Sequence, residues 1–120
     1  MDHSKEFVIL VDEAKARVRE IGIEALEERR RAGARVIDVR EDDEFRAGHV
    51  PGAEHIGKGV IERDIVAKVP DKDSELILYC GGGFRSILAG DSIRRMGYKN
   101  VFSLVGGWRD WLSRGLPTER

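Results

Sequence analysis

Four apolar residues, Leu76-Ile77-Leu78-Tyr79, run without a polar break into Cys80-Gly81-Gly82-Gly83-Phe84-Arg85-Ser86. An unbroken apolar run of strand length suits a strand buried on both faces, which requires helices to cover the sheet on either side. After the glycines, Ser86, Ala89, Gly90, Ile93 and Met96 recur at helical spacing, so the stretch reads as strand, loop, then helix ending near Met96. Glycines give access to positive φ and let a ligand approach the main chain closely. A loop from a strand end to a helix start turns several N–H groups inward. Together with the positive end of the helix dipole, they form a cradle for an anion. Cys80, the single cysteine of the chain, opens that cradle. Its own sulfur is the nearest candidate anion, and a cradled thiolate is a nucleophile.

The remaining chain supplies neighbours for that strand. Residues 1–6 are polar and expected to be disordered. From Phe7 to Arg19, Val11, Ala14 and Val18 share a helical face, which predicts a helix lying across the outside of the sheet. Arg19-Glu20-Ile21 is a short strand candidate, and Ile23 to Arg31 reads as helix with Gly33 as its cap. Arg35 to Val39 predicts a second buried strand, followed by a short helix through Glu41–Phe45 that Gly48 ends. Glu54-His55-Ile56 reads as a brief strand after the Pro51-Gly52 turn, and Val60 to Val69 as a helix stopped by Pro70. Asn100 to Leu104 predicts the last strand and Gly106-Gly107 a tight turn. Trp108, Trp111 and Leu112 are expected to anchor the final helix in the core. Strands alternating with helices imply an α/β fold with a parallel sheet covered on both faces. In such sheets ligands bind beyond the carboxyl ends of the strands, which brings Cys80, Arg40 and the Gly106-Gly107 turn to one edge.

Composition narrows the function. At 120 residues the chain is long enough for one domain with its own core. A net charge of −1 gives no electrostatic case for nucleic acid or an acidic membrane. The apolar run Phe7–Val11 is too short for a membrane span, so no membrane partner is expected and the cytoplasm is the expected compartment. A single cysteine offers no internal disulfide and no resolving thiol, so a covalent intermediate on Cys80 would discharge to an outside acceptor. No His/Cys spacing suggests a metal site, and no cofactor is called for.

Three ordered blocks then carry a resemblance. Cys80-Gly-Gly-Gly83-Phe-Arg85-Ser86 is similar to the Cys-x-x-Gly-x-Arg-Ser loop of the rhodanese-like sulfurtransferases. Val36-Ile37-Asp38-Val39-Arg40-Glu41, with Glu44-Phe45 and Gly48-His49-Val50-Pro51-Gly52-Ala53, is the second block. Val101 to Trp108, closing with Gly115-Leu116-Pro117, is the third. The resemblance implies a three-layer α/β/α domain over residues 19–120 with a central five-stranded, mainly parallel sheet. Residues 1–18 would be an N-terminal extension carrying the extra helix.

As function, the resemblance implies transfer of sulfane sulfur from a small anionic donor such as thiosulfate to cyanide, a thiol or an acceptor protein, through a persulfide on Cys80. Gly81, Gly82, Gly83, Phe84, Arg85 and Ser86 would be the anion-binding loop. Arg85 either orients the donor or ties the loop to Asp38 or Glu44. Arg40 and Glu44 are expected to brace each other as an ion pair, and Lys58 to add positive potential at the mouth. His49 is expected to play a structural hydrogen-bonding part; His49 or His55 acting as a base on Cys80 is the competing idea. Rival readings are a sulfur carrier loaded by another enzyme's persulfide and a non-catalytic interaction module, whose members typically lack the cysteine. Mercaptopyruvate is the less favoured donor, because the loop that goes with it lacks this Gly-x-Arg ending. Phosphatases and arsenate reductases of the same fold carry Cys-x5-Arg, one residue longer than the interval from Cys80 to Arg85.

Overall fold

Residues 75–79 alternate sides as a pleated strand must. Leu76, Leu78 and Cys80 enter one core cluster, while Ile77 and Tyr79 enter the other, all of them at most 1% exposed. The computed structural model describes residues 3–120, and in it this strand, β4 (Glu75–Tyr79), lies at the centre of a five-stranded sheet. The other strands are β1 (Arg19–Ile21), β2 (Arg35–Asp38), β3 (Glu54–His55) and β5 (Asn100–Leu104). Their order is β1-β5-β4-β2-β3, and every neighbouring pair is parallel. The sole antiparallel element among the described residues is an isolated bridge between His49 and Glu119.

Helices α4 (Ile61–Lys68) and α5 (Phe84–Arg95) cover one face, where Ile61, Ile65, Ala89 and Ile93 meet Ile37, Leu76, Leu78 and Val101. Helices α2 (Leu26–Arg31) and α6 (Gly107–Ser113) cover the other, through Leu26 and Trp111 against Val36, Ile77, Phe102 and Leu104. Gly90 lets α5 approach the sheet, since a Cβ there would stand 3.2 Å from methyl carbons of Val101 and Val18. A short helix, α3 (Asp42–Ala47), follows β2 and is opened by a capping box between Glu41 and Glu44.

Several elements depart from the reading of the sequence. Helix α1 (Lys5–Lys15) starts earlier than expected because the Ser4 hydroxyl accepts from the Phe7 N–H, so residues 4–6 are ordered; residues 1–2 lie outside the described residues. The helix rests on α5 rather than across the sheet. Val11 and Ala14 pack against Ile87, with Phe7, Phe84 and Leu88 at the margin. Val18 is buried but lies past the helix end. Arg17 fastens the junction with two hydrogen bonds to the Asp91 carboxylate, at 2.7 and 2.9 Å. The second helix begins as a 3-10 turn at Ile23–Ala25. In α6, Trp111 is buried and donates to the Pro117 carbonyl at 2.8 Å, but Leu112 is 50% exposed and anchors nothing.

Candidate active site

The β4–α5 loop is bent around the Cys80 sulfur. Of its three glycines only Gly83 has a positive φ, +109°, and this single left-handed residue turns the chain into the first residue of α5. The Gly83 N–H donates to Sγ at 3.2 Å and the Ser86 N–H at 3.4 Å. The Ser86 hydroxyl lies 3.5 Å from Sγ and is itself 2.7 Å from the hydroxyl of Ser103, both serines being fully buried. Cys80 is 1% exposed and belongs to the core under α4 and α5. Its sulfur is therefore the floor of a cavity rather than part of an open wall.

A second turn closes on this loop. Gly106 (φ +78°) and Gly107 (φ +50°) lead into α6, whose Trp108 and Arg109 N–H groups donate to the carbonyls of Cys80 and Gly81 at 2.8 and 3.0 Å. A Cβ on Gly107 would collide with the Cys80 carbonyl oxygen, so only glycine fits. The two loops meet at the carboxyl ends of neighbouring strands β4 and β5.

Arg85 is held by Glu44 through paired contacts of 3.0 and 3.3 Å, which fixes its guanidinium beside the loop. Hydrogen bonding from Arg85 holds the Glu44 carboxyl below the ordinary carboxylate range, against a smaller opposing effect of burial. Glu44 also accepts from the Glu41 N–H at 2.9 Å, so the start of α3 aims its carboxylate at α5. The expected Arg40–Glu44 pair is therefore absent. Arg40 instead grips Asp38 at 2.8 Å and the Gly48 carbonyl at 2.7 Å, nearly fully buried between Tyr79 and Trp108. A buried guanidinium needs a buried carboxylate, and Asp38 two residues away is 0% exposed whereas Glu44 is partly in solvent.

Lys58 does not reach the mouth. It lines a separate cavity with Leu10, Arg17 and Asp91, because its 3-10 turn (Lys58–Val60) packs toward the outer side of α5. Neither histidine of the Gly48–His55 region touches sulfur. His49 donates through Nδ1 to the Phe45 carbonyl at 2.8 Å and stacks on the Phe45 ring, and His55 donates through Nε2 to the Arg40 carbonyl at 2.8 Å.

The cavity above Cys80 has a volume of about 470 Å³ and is lined by His3, Phe7, Cys80, Gly81, Gly82, Phe84, Arg85 and Arg109. Three of these were not picked out from the sequence. Arg109 carried a usable signal, since it stands two residues past the glycine turn already placed at this edge. His3 and Phe7 carried none, because their arrival depends on α1 docking on α5.

The Rhodanese-like domain family model matches residues 23–114. Thiosulfate sulfurtransferase GlpE of Pseudomonas aeruginosa is 33% identical over 93 residues, which take in 78% of this chain and 83% of that protein. YrkF of Bacillus subtilis, named provisionally as a sulfur carrier, is 34% identical over 79 residues; the match covers 66% of this chain but only 42% of that protein. Some relatives are thus substantially longer than the shared region. Among solved structures, a Rhodopseudomonas palustris protein of unknown function, titled a possible tyrosine phosphatase, superposes with a TM-score of 0.81 at 26% identity. That superposition covers 99% of this chain and 98% of the other. Human single-domain sulfurtransferase TSTD1 superposes with a TM-score of 0.72 at 26% identity, over 81% of this chain and 97% of that one.

Proposed function

Because the chain belongs to the rhodanese-like domain family, we propose that it moves sulfane sulfur through a persulfide on Cys80, with thiosulfate or a protein persulfide as donor. The observation that carries this reading is the sulfur itself, held at the cavity floor by the Gly83 and Ser86 N–H groups. The Cys80 thiolate attacks the outer sulfur of thiosulfate. A new S–S bond forms, the sulfur–sulfur bond of the donor breaks, and its electron pair leaves with sulfite. Cyanide, a thiolate or an acceptor protein then attacks the outer persulfide sulfur, and the Cys80 thiolate departs unchanged.

Backbone dipoles suit each step, because negative charge stays near the sulfur throughout. Among the described residues the Gly81 and Gly82 N–H groups donate to no protein acceptor, which leaves them for the outer sulfur. Arg85, neutralised by Glu44, braces the loop rather than receiving the donor. The four-residue interval from Cys80 to Arg85 favours sulfur over phosphoryl chemistry. Residues 19–120 serve as the catalytic domain and 1–18 as an extension whose helix α1 docks on α5. A reducing compartment such as the cytoplasm keeps a lone thiol in its active form; among the described residues no helix is long and apolar enough to cross a membrane.

Intact mass after incubation with thiosulfate and removal of the excess tests the reading. The expected result is a gain of one sulfur atom, absent in Cys80→Ser and reversed by cyanide with release of thiocyanate. A protein that stays unmodified while Cys80 remains alkylatable overturns thiosulfate as donor. Loading by a protein persulfide alone would instead make it a carrier of the kind that the name of YrkF suggests.

A further inference from the structure

A donor as small as thiosulfate needs neither the size nor the lining of the Cys80 cavity. Its volume, about 470 Å³, lies in the range that houses organic ligands. One wall is aromatic: the rings of His3, Phe7 and Phe84 stand 4.9–5.9 Å from one another, in tilted contact. Two of the three come from the N-terminal segment, outside residues 23–114. That segment is fastened in place by the Arg17–Asp91 pair and by Val11 and Ala14 on Ile87. Beside the loop glycines the lining also carries two arginines in different states, Arg85 at Gly81 and Arg109 at Gly82. Arg85 is paired with Glu44, whereas Arg109 forms no salt bridge among the described residues, and even Arg114 of the same region is paired with Glu24 and Asp110.

An apolar wall and an unpaired cation lining the same cavity as a nucleophilic sulfur select a ligand with matching parts. We propose that the thiol acceptor of this protein is a small organic acid with an apolar, ring-sized body, its carboxylate on Arg109 and its body against Phe7 and Phe84. The inference rests on the persulfide reading above. In the discharge step the acceptor thiolate attacks the outer sulfur of Cys80–S–S⁻. The S–S bond breaks, its electron pair returns to Cys80, and the acceptor leaves as an organic persulfide carrying the same total charge. Phe7 acts here as a specificity residue and Arg109 as the anchor for the acid.

Two measurements test the acceptor assignment. The first needs no sulfur transfer: protection of Cys80 from iodoacetamide by 4-methylbenzoate, with propanoate as the ring-free control. 4-Methylbenzoate is expected to slow alkylation at concentrations about tenfold below those at which propanoate does so. Phe7→Ala should abolish the difference, and Phe7→Leu, which keeps the packing on α5, should reduce it. Arg109→Gln should weaken both acids. Equal protection by the two acids in the wild type, or a difference unchanged in both Phe7 variants, overturns the assignment.

The second measurement compares kcat/KM for 4-(mercaptomethyl)benzoate and 3-mercaptopropanoate as acceptors, beside thiocyanate formation from cyanide in the same preparation. A preference of about tenfold for the aromatic thiol supports the assignment. Thiocyanate formed without any such preference overturns the assignment alone. No sulfur delivered to any acceptor overturns the persulfide reading and the acceptor role with it, while the protection result still shows whether the aromatic acid binds.

Discussion

Arg85 and Glu44 form a two-contact ion pair that spans from the start of α5 to the start of α3, at 3.0 and 3.3 Å. The loop arginine is thereby neutralised by a residue 41 positions away in sequence. Removing the carboxylate charge while keeping its shape exposes the guanidinium's field to the cavity. Glu44→Gln should lower the KM for dianionic thiosulfate by about three- to tenfold at low ionic strength, with the gain shrinking as salt rises. Steady-state kinetics at two ionic strengths check this; an unchanged KM would mean that Arg85 does not sense the donor.

Two of the loop glycines should differ sharply. Gly83→Ala forces a side chain onto φ +109° and should cost about 1–3 kcal/mol. Gly82→Ala meets only Arg109, at 3.5 Å with ordinary φ, and should stay within about 0.5 kcal/mol. Urea midpoints measure both. Because the Gly83 N–H donates to Sγ, its variant should also slow alkylation of Cys80 by a neutral reagent.

Ser86 and Ser103 share one buried hydrogen bond of 2.7 Å. Ser103→Ala leaves the Ser86 hydroxyl facing sulfur alone and should cost about 1–3 kcal/mol, since a buried polar group loses its partner. The double variant Ser86→Ala/Ser103→Ala should be less destabilised than the two single losses added together. A double-mutant cycle by chemical denaturation gives the coupling, and strict additivity would deny it.

Acid should release α1 before it unfolds the domain. Hydrogen bonding from Arg17 holds the Asp91 carboxyl below the ordinary aspartate range, opposed by burial and helped by the charges of Arg17, Arg95 and Arg94. A depressed folded-state value means that the pair contributes fully above the unfolded aspartate value of about 3.9. That contribution is lost as pH falls through the lower folded value. Protection factors for amide exchange along residues 5–15, corrected for the intrinsic rate, should therefore stay high down to about pH 4 and fall below it. Asp91→Asn should show low protection at every pH.

What the sequence disclosed was local. The apolar run, the glycine loop and the small-residue helix face placed β4, Cys80 and α5 together, because each signal is complete within a few residues. Charge pairing was legible only in part: Glu44 is one of the two carboxylates expected to hold Arg85, but Arg40 is expected to pair with Glu44 and takes Asp38. Arg40 takes Asp38 and Glu44 takes Arg85 because burial, which is tertiary, decides which carboxylate each guanidinium reaches. Phe7 was read correctly as helical, but nothing local says that its ring arrives beside Phe84. Arg109 carries a signal by its place two residues past the glycine turn, but in the first turn of a helix it looks like ordinary surface until two loops meet and bring it to the Cys80 cavity.

The amides of Trp108 and Arg109 bind the carbonyls of Cys80 and Gly81 from outside the loop. A peptide plane pinned by its oxygen cannot rotate, so the N–H on its other edge keeps a set heading. Helix α6 thus sets the heading of the Gly81 and Gly82 N–H groups, the two left for the outer sulfur, although its own amides touch only the loop carbonyls. Redesign that shifted the α6 register by one residue would leave every atom of the nucleophile's loop chemically intact. It would nonetheless free those planes to flip, presenting oxygens where the outer sulfur needs hydrogens.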